Sequence, residues 1–253
     1  MTADFSGKIG IVTGAASGLG RQTALALAER GARLLLFDRD AAGLSETAAA
    51  CPGSVTVCGD ASRATDVETA VATAAELGPI AMLATAAGIL GPAKPLTDIA
   101  EADWDKLFDI NVKGTWLALR ATLPYMRAAG GGSIVCFASA AGLTGSETMP
   151  AYSASKGAIV MLTRSAARSE ALYGIRVNCV CPGSIETPML EATFAAAESP
   201  DIRAARETAF KARHPLGRFG QANEVAAAVL FLLSDAASFV TGVALPVDGG
   251  RLA

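Results

Sequence analysis

The chain has 253 residues, 51% of them hydrophobic and 18% charged, with a formal net charge of −3. Such a chain buries a full-sized core and is not disordered, and without any run of Lys/Arg it offers no footprint for nucleic acid or an anionic membrane. Five cysteines with no Cys-x-x-Cys pair and a single histidine supply no metal-ligand set and make a Ser-His-Asp hydrolase a poor fit.

In chain order, strand-like and helix-like segments alternate. Residues 8–14 form a short β-rich apolar run, and 18–32 follow with helical spacing and a glycine stop at Gly31. A second strand is predicted at 33–38, a helix at 41–50, a third strand at 54–60 and a fourth at 79–88. One long helix is predicted over 103–129, then a strand at 132–139, a long helix at 151–174, a strand at 175–183 and a last strand at 242–250. Continuous apolar strands separated by helices predict a seven-stranded parallel sheet covered on both faces, a doubly wound α/β Rossmann fold in one domain over residues 1–253. Residues 188–214, rich in alanine and charge, read as a helical lid over the carboxyl edge of that sheet. His214 ends it and reads as a loop or lid residue, while Cys51, Cys58, Cys136, Cys179 and Cys181 read as small core hydrophobes. The N-terminus has no basic start and apolar core of a secretion signal, and the apolar run at 225–233 is too short to span a bilayer. The expectation is a soluble, cytoplasmic protein.

The stretch "TGAASGLG", residues 13–20, joins the first strand to the first helix. Gly14 permits the tight turn, Gly18 close approach of a pyrophosphate, and Gly20 close packing of helix on strand. With Ser17 and Leu19 they form a turn whose N–H groups would cradle phosphates at a helix N-terminus. Asp38, at the end of the second strand, is placed to accept both adenosine-ribose hydroxyls and to repel a 2′-phosphate, which favours NAD over NADP. Arg39 beside it pulls the other way. Asp60, followed by Ala61, is placed either to meet the adenine or to cap the next helix.

The order of glycine turn, Asn111 in "INVKGT", Ser139 in "FASAAG" and "AYSASKG" (residues 151–157) resembles the short-chain dehydrogenase/reductase family, and the resemblance runs to "VTGVALPVDGG" near the C-terminus. It implies Asn111, Ser139, Tyr152 and Lys156 as the catalytic set. It also implies that Pro182, Gly183, Ile185 and Thr187 wrap a nicotinamide, that Gly88 lets it approach, and that Asn111 kinks its helix and holds a water leading to Lys156. Where the family often has "NNAG", this chain has Thr85 and Ala86, so bracing of the cofactor loop must come from elsewhere. On a helix, Tyr152 and Lys156 share a face. An ammonium there, with the positive nicotinamide, would draw the phenol from its ordinary pKa of about 10 toward the neutral range that a general base needs. Small neighbours such as Ala151 and Gly157 let helix, cofactor and partner subunit come close.

The expected reaction is reversible oxidation of a secondary alcohol or cyclic diol to a ketone with NAD. Leu90, Leu143, Met149, Met189 and Leu190 are candidate substrate contacts. The family resemblance also admits a 3-oxoacyl-[acyl-carrier-protein] reductase, which would want NADP and basic docking residues, and a dinucleotide-sensing protein without turnover. The apolar faces of the two long helices predict a homotetramer. No metal is expected.

Overall fold

The computed structural model describes residues 4–195 and 199–253. Seven strands build one parallel sheet: β1 Ile9–Thr13, β2 Arg33–Asp38, β3 Val55–Cys58, β4 Ile80–Thr85, β5 Gly132–Phe137, β6 Ile175–Pro182 and β7 Ala244–Val247. Their order is β3-β2-β1-β4-β5-β6-β7, so the chain reverses direction of travel across the sheet between β1 and β4. Ligands bind at such a switch point, beyond the carboxyl ends of the strands. The central strands are buried along most of their length: all five residues of β1 are buried, as are Leu34 to Phe37 of β2. Strand β3, at the sheet edge, alternates between half-buried and exposed positions. Its Cys58 is therefore exposed and donates its thiol to the Arg39 carbonyl at 3.5 Å, against the expectation that all five cysteines pack in the core; the other four are buried.

Helices α1 Gly18–Ala28, α2 Ala41–Ala49, α3 Ala64–Leu77, α4 Glu101–Phe108, α5 Gly114–Ala128, α6 Ala141–Thr144, α7 Pro150–Glu170, α8 Pro188–Ala195, α9 Pro200–Ala212 and α10 Ala222–Leu233 complete the described fold. Two apolar clusters cover the two faces of the sheet. Leu117, Leu119, Ile159 and Val160 from α5 and α7 pack on one; Leu27, Val225, Val229 and Leu233 from α1 and α10 pack on the other. Each such side chain taken from water contributes roughly 1.5–3 kcal/mol. Local chemistry sets the ends. The Asp40 carboxylate caps α2 by accepting from the Ala42 and Gly43 N–H groups, and α10 opens on a reciprocal Gln221–Glu224 capping box. Pro150, which has no N–H to leave unpaired, starts α7.

The single helix predicted over 103–129 is broken. A π-turn, Asp109–Lys113, separates α4 from α5, because Asn111 is drawn inward by partners from other elements. The predicted lid at 188–214 contains two helices, α8 and α9; its residues 196–198 lie outside the described residues. The lid is seated by Phe194, which is buried and meets Phe210 edge-on at 5.3 Å and stacks on Phe219 at 5.8 Å. Among the described residues no helix is long and apolar enough to cross a membrane.

Candidate active site

Two adjoining clefts open at the carboxyl edge of the sheet. The first has a volume of about 350 Å³ and runs from the turn after β1, past the ends of β2 and β3, to the loop after β4. Gly14, Ser17, Gly18, Leu19, Gly20, Asp38, Asp60, Ala61, Gly88 and Thr187 all line it. Gly14 has φ +68°, and a Cβ there would lie 2.6 Å from the Ala87 nitrogen; a Cβ on Gly20 would collide with the Gly14 carbonyl oxygen. Both positions exclude any side chain, which brings β1, α1 and the β4 loop into direct contact. Helix α1 begins without a side-chain cap and without an acidic residue in its first turn. The first of its turn's N–H groups to be taken is that of Arg21, which bonds the Ser17 carbonyl. Gly18, Leu19 and Gly20, which precede it, line the cleft, and helix geometry leaves their N–H groups without an intrahelical acceptor, a cradle that fits a pyrophosphate.

The Asp38 carboxylate accepts from the Ala16 N–H at 3.0 Å and the Asp40 N–H at 3.1 Å, which fixes it on the cleft wall beside Arg39. Asp60 does not cap a helix; Arg63 holds that position on α3. The Asp60 carboxylate accepts from the backbone N–H and hydroxyl of Ser62, which hold its pKa below the usual carboxylate range, and it lines the cleft. The loop after β4, lacking the family's asparagines, is braced by two residues from other elements. Thr13 accepts from Ala86 N–H at its carbonyl and from Ala87 N–H at its hydroxyl, each at 3.2 Å. Asn111, fully buried, accepts from Ile89 N–H at 2.8 Å and donates to the Ile89 carbonyl at 3.0 Å and to Ser155 Oγ at 3.1 Å. Its own carbonyl accepts the Thr115 hydroxyl at 2.7 Å.

The second cleft continues the first through a shared wall of Leu19, Ala86, Gly88, Thr187 and Met189. Ser139, Tyr152 and Lys156 converge on it, with Pro182, Gly183 and Ile185 from the end of β6 and the segment after it. Leu90, Met149, Met189 and Leu190 also line it. Leu143 does not: it is 39% exposed on α6, where Gly142 is pressed against the Lys156 backbone and Ala141 is the residue turned to the cavity. Asn111 lines neither cleft; it stands behind Gly88 and is tied to the site through Ile89 and Ser155.

The ammonium of Lys156 is buried and donates to the Phe137 carbonyl at 2.8 Å; burial lowers its pKa to about 8. The Tyr152 phenol is pushed up to about 12 by burial, against a weaker opposing pull from a hydrogen bond with Ser139. The expectation joined Lys156 to a positive nicotinamide; Lys156 by itself leaves the phenol above its ordinary range. The ammonium sits 5.6 Å from the ring centroid and spends a proton on a carbonyl, so the cost of burying a phenolate exceeds its attraction. Without a further positive charge the site holds a neutral phenol.

Comparison with known proteins agrees with this geometry. A family model described as Enoyl-(Acyl carrier protein) reductase matches residues 14–251. The 2-(S)-hydroxypropyl-CoM dehydrogenase 3 of Xanthobacter autotrophicus is 42% identical over 96% of this chain and 95% of its own. The chain belongs to the short-chain dehydrogenase/reductase family. Levodione reductase of Leifsonia aquatica is 39% identical to this dehydrogenase over 100% of the chain and 97% of its own. A crystal structure of levodione reductase superposes on it with a TM-score of 0.93 at 38% identity, covering 98% of each chain. This short-chain dehydrogenase is thus an oxidoreductase of CH–OH groups that takes a nicotinamide dinucleotide.

Several residues at the site carry no local signature. Thr13 and Ser155 look like ordinary small residues of a strand end and a helix, and their roles arise from what the fold sets against them. Ser155 donates to the Tyr152 carbonyl at 2.8 Å and so ties Asn111 to the first turn of α7. Phe210 and Arg213 reach the second cleft from the lid, and Arg251 reaches it from the C-terminal segment. Only their distance along the chain from the other site residues hid them.

Proposed function

We propose that this dehydrogenase uses NAD to interconvert a secondary alcohol, open-chain or a cyclic diol, with its ketone, Tyr152 exchanging the hydroxyl proton. The observation that carries the reading is the convergence of Ser139, Tyr152 and Lys156 on a cavity that shares its wall with the dinucleotide cradle. The names of the relatives, which specify a 2-hydroxypropyl group and a dione, support an alcohol–ketone pair. Asp38 on the first cleft's wall supports NAD over NADP.

When bound, the oxidised nicotinamide supplies a hydride acceptor and a positive charge. Ser139 holds the substrate oxygen, its own oxygen being fixed by the Ala141 N–H at 3.2 Å. Tyr152 takes the hydroxyl proton at its phenolic oxygen. Lys156, anchored on the Phe137 carbonyl with its ammonium 5.6 Å from the centre of the Tyr152 ring, adds a positive charge near the phenol as negative charge develops on it. Asn111 and Ser155 position α7 and the β4 loop relative to each other. Tyr152→Phe should retain NADH binding, measured by fluorescence titration, and lose about 10²–10⁴-fold in turnover, measured at the nicotinamide absorbance band. Near-normal turnover of that variant would refute the assignment.

Carrier-protein reduction has less support. Arg127, the cation near the end of α5, is consumed by a bidentate pair with Glu170 at 2.7 Å for both bonds, and it stacks on Tyr173. The groove between α5 and α7, lined by Trp116, Leu123, Leu162 and Ala166, supports a homotetramer, which sedimentation would test. Five free cysteines support a reducing, cytoplasmic setting.

A further inference from the structure

The alcohol cavity has a mostly apolar wall with two guanidinium groups in it. Arg213 follows α9 and Arg251 follows β7, so the two come together only in the folded chain. No carboxylate lines this cavity among the described residues. Arg127, Arg203 and Arg218 are each paired with a glutamate at 2.6–2.7 Å, whereas among the described residues Arg213 and Arg251 have no ion pair. Arg213 is steadied from below instead: its Cζ lies 4.4 Å from the centroid of the Phe210 ring, itself part of the cavity wall. Asp248 is the carboxylate whose charge Arg251 feels, but its two oxygens are taken by the N–H groups of Gly250 and Leu252, each at 3.0 Å. Burial first, and then the charge of Arg213, hold Arg251 below the ordinary guanidinium range. Two like charges at one cavity repel, and an anion bound between them relieves both. A guanidinium fork matches the paired oxygens of a carboxylate or sulfonate.

We propose that the alcohol substrate carries an anionic group, a carboxylate or sulfonate, which Arg213 and Arg251 bind while its hydroxyl meets Ser139 and Tyr152. This rests on the dehydrogenase reading above and names the class of substrate. The apolar wall between the two ends, from Leu90, Met149 and Leu190, fits a short hydrocarbon spacer. Lys156, the cavity's other cation, is committed to the Phe137 carbonyl.

The test is a set of matched pairs assayed with NAD. These are 3-hydroxybutanoate and 6-hydroxyheptanoate, each against its methyl ester, and 3-hydroxybutane-1-sulfonate against the corresponding methyl sulfone. For at least one pair, kcat/KM of the wild type should favour the anion by about tenfold to a hundredfold, the range for a hydrogen bond to a charged group. That ratio should fall toward one in Arg213→Gln and in Arg251→Gln, and Arg251→Lys should restore part of it. The carboxylate and sulfonate pairs together tell which anion is preferred. If anions and neutral partners are oxidised alike in the wild type, the anionic-substrate inference falls and the dehydrogenase reading stands. If no member of any pair is oxidised, both fall.

Discussion

Replacing Asn111 by alanine tests how the site is held together. The side chain is fully buried and makes three hydrogen bonds, two to the Ile89 backbone and one to Ser155. Each such neutral bond contributes on the order of 1 kcal/mol net, and each buried group left unpaired costs roughly 1–3 kcal/mol. Ile89 is half-buried, so water can repair part of the loss at its N–H and carbonyl. Ser155 is fully buried but keeps its bond to the Tyr152 carbonyl. The net expectation is a loss of about 2–4 kcal/mol in urea unfolding at constant m. The β4 loop, freed on one side, should also bind NADH more weakly, because Gly88 and Ile89 form part of the cleft wall. A midpoint shift worth less than about 0.5 kcal/mol, with unchanged NADH affinity, would show that the π-turn stands without Asn111 and would refute the bracing argument.

Three further outcomes are expected. Lys156 has its pKa lowered from 10.5 to about 8 by burial, so between those values the unfolded chain holds more protons than the folded one. Stability of the ligand-free wild type relative to Lys156→Met should therefore rise with pH above 8, by up to about 3 kcal/mol, in urea titrations; the Cys51 thiol, raised by burial, acts oppositely but alike in both proteins, while Cys136, which feels the charge of Lys156, cancels only in part. Asp38→Ala should lower kcat/KM for NAD by about 10–100-fold and raise that for NADP, with Arg39 left on the cleft wall, as read in parallel assays. Arg127→Ala should destabilise by more than Glu170→Gln: the Glu170 side chain is 4% exposed and would be left charged without its partner, a cost of about 1–3 kcal/mol after allowing for the solvent already around Arg127. Thermal unfolding of the two variants side by side checks the order.

The sheet was legible because its strands are apolar runs of the right length and parallel packing leaves no other place for them. The glycine turn was legible because its spacing answers contacts that lie within a few residues. The π-turn was not. Residues 103–129 keep helical spacing throughout, and the break is imposed by Ile89 and Ser155, far away in sequence. That Lys156 without the nicotinamide leaves the Tyr152 phenol above its ordinary range was not legible, because the sequence reveals the neighbouring charge but not the burial that outweighs it. Cys58 was misjudged because an edge strand and a central strand differ by position in the sheet and not by composition. Leu143 lost its place in the cavity because Gly142 fits so tightly against α7 that Ala141, two residues earlier in α6, takes the inward position.

The only histidine in the chain is 3% exposed, and both its ring nitrogens are engaged. Nδ1 donates to the Phe210 carbonyl at 2.9 Å and Nε2 accepts from the Ser184 N–H at 3.1 Å. His214 is thus a rivet between the last turn of α9 and the segment leaving β6. A reagent that acylates imidazoles can reach this ring only after that joint has come apart. Inactivation of the enzyme by such a reagent would then time the opening of its architecture, and would be a false witness for a base in the chemistry.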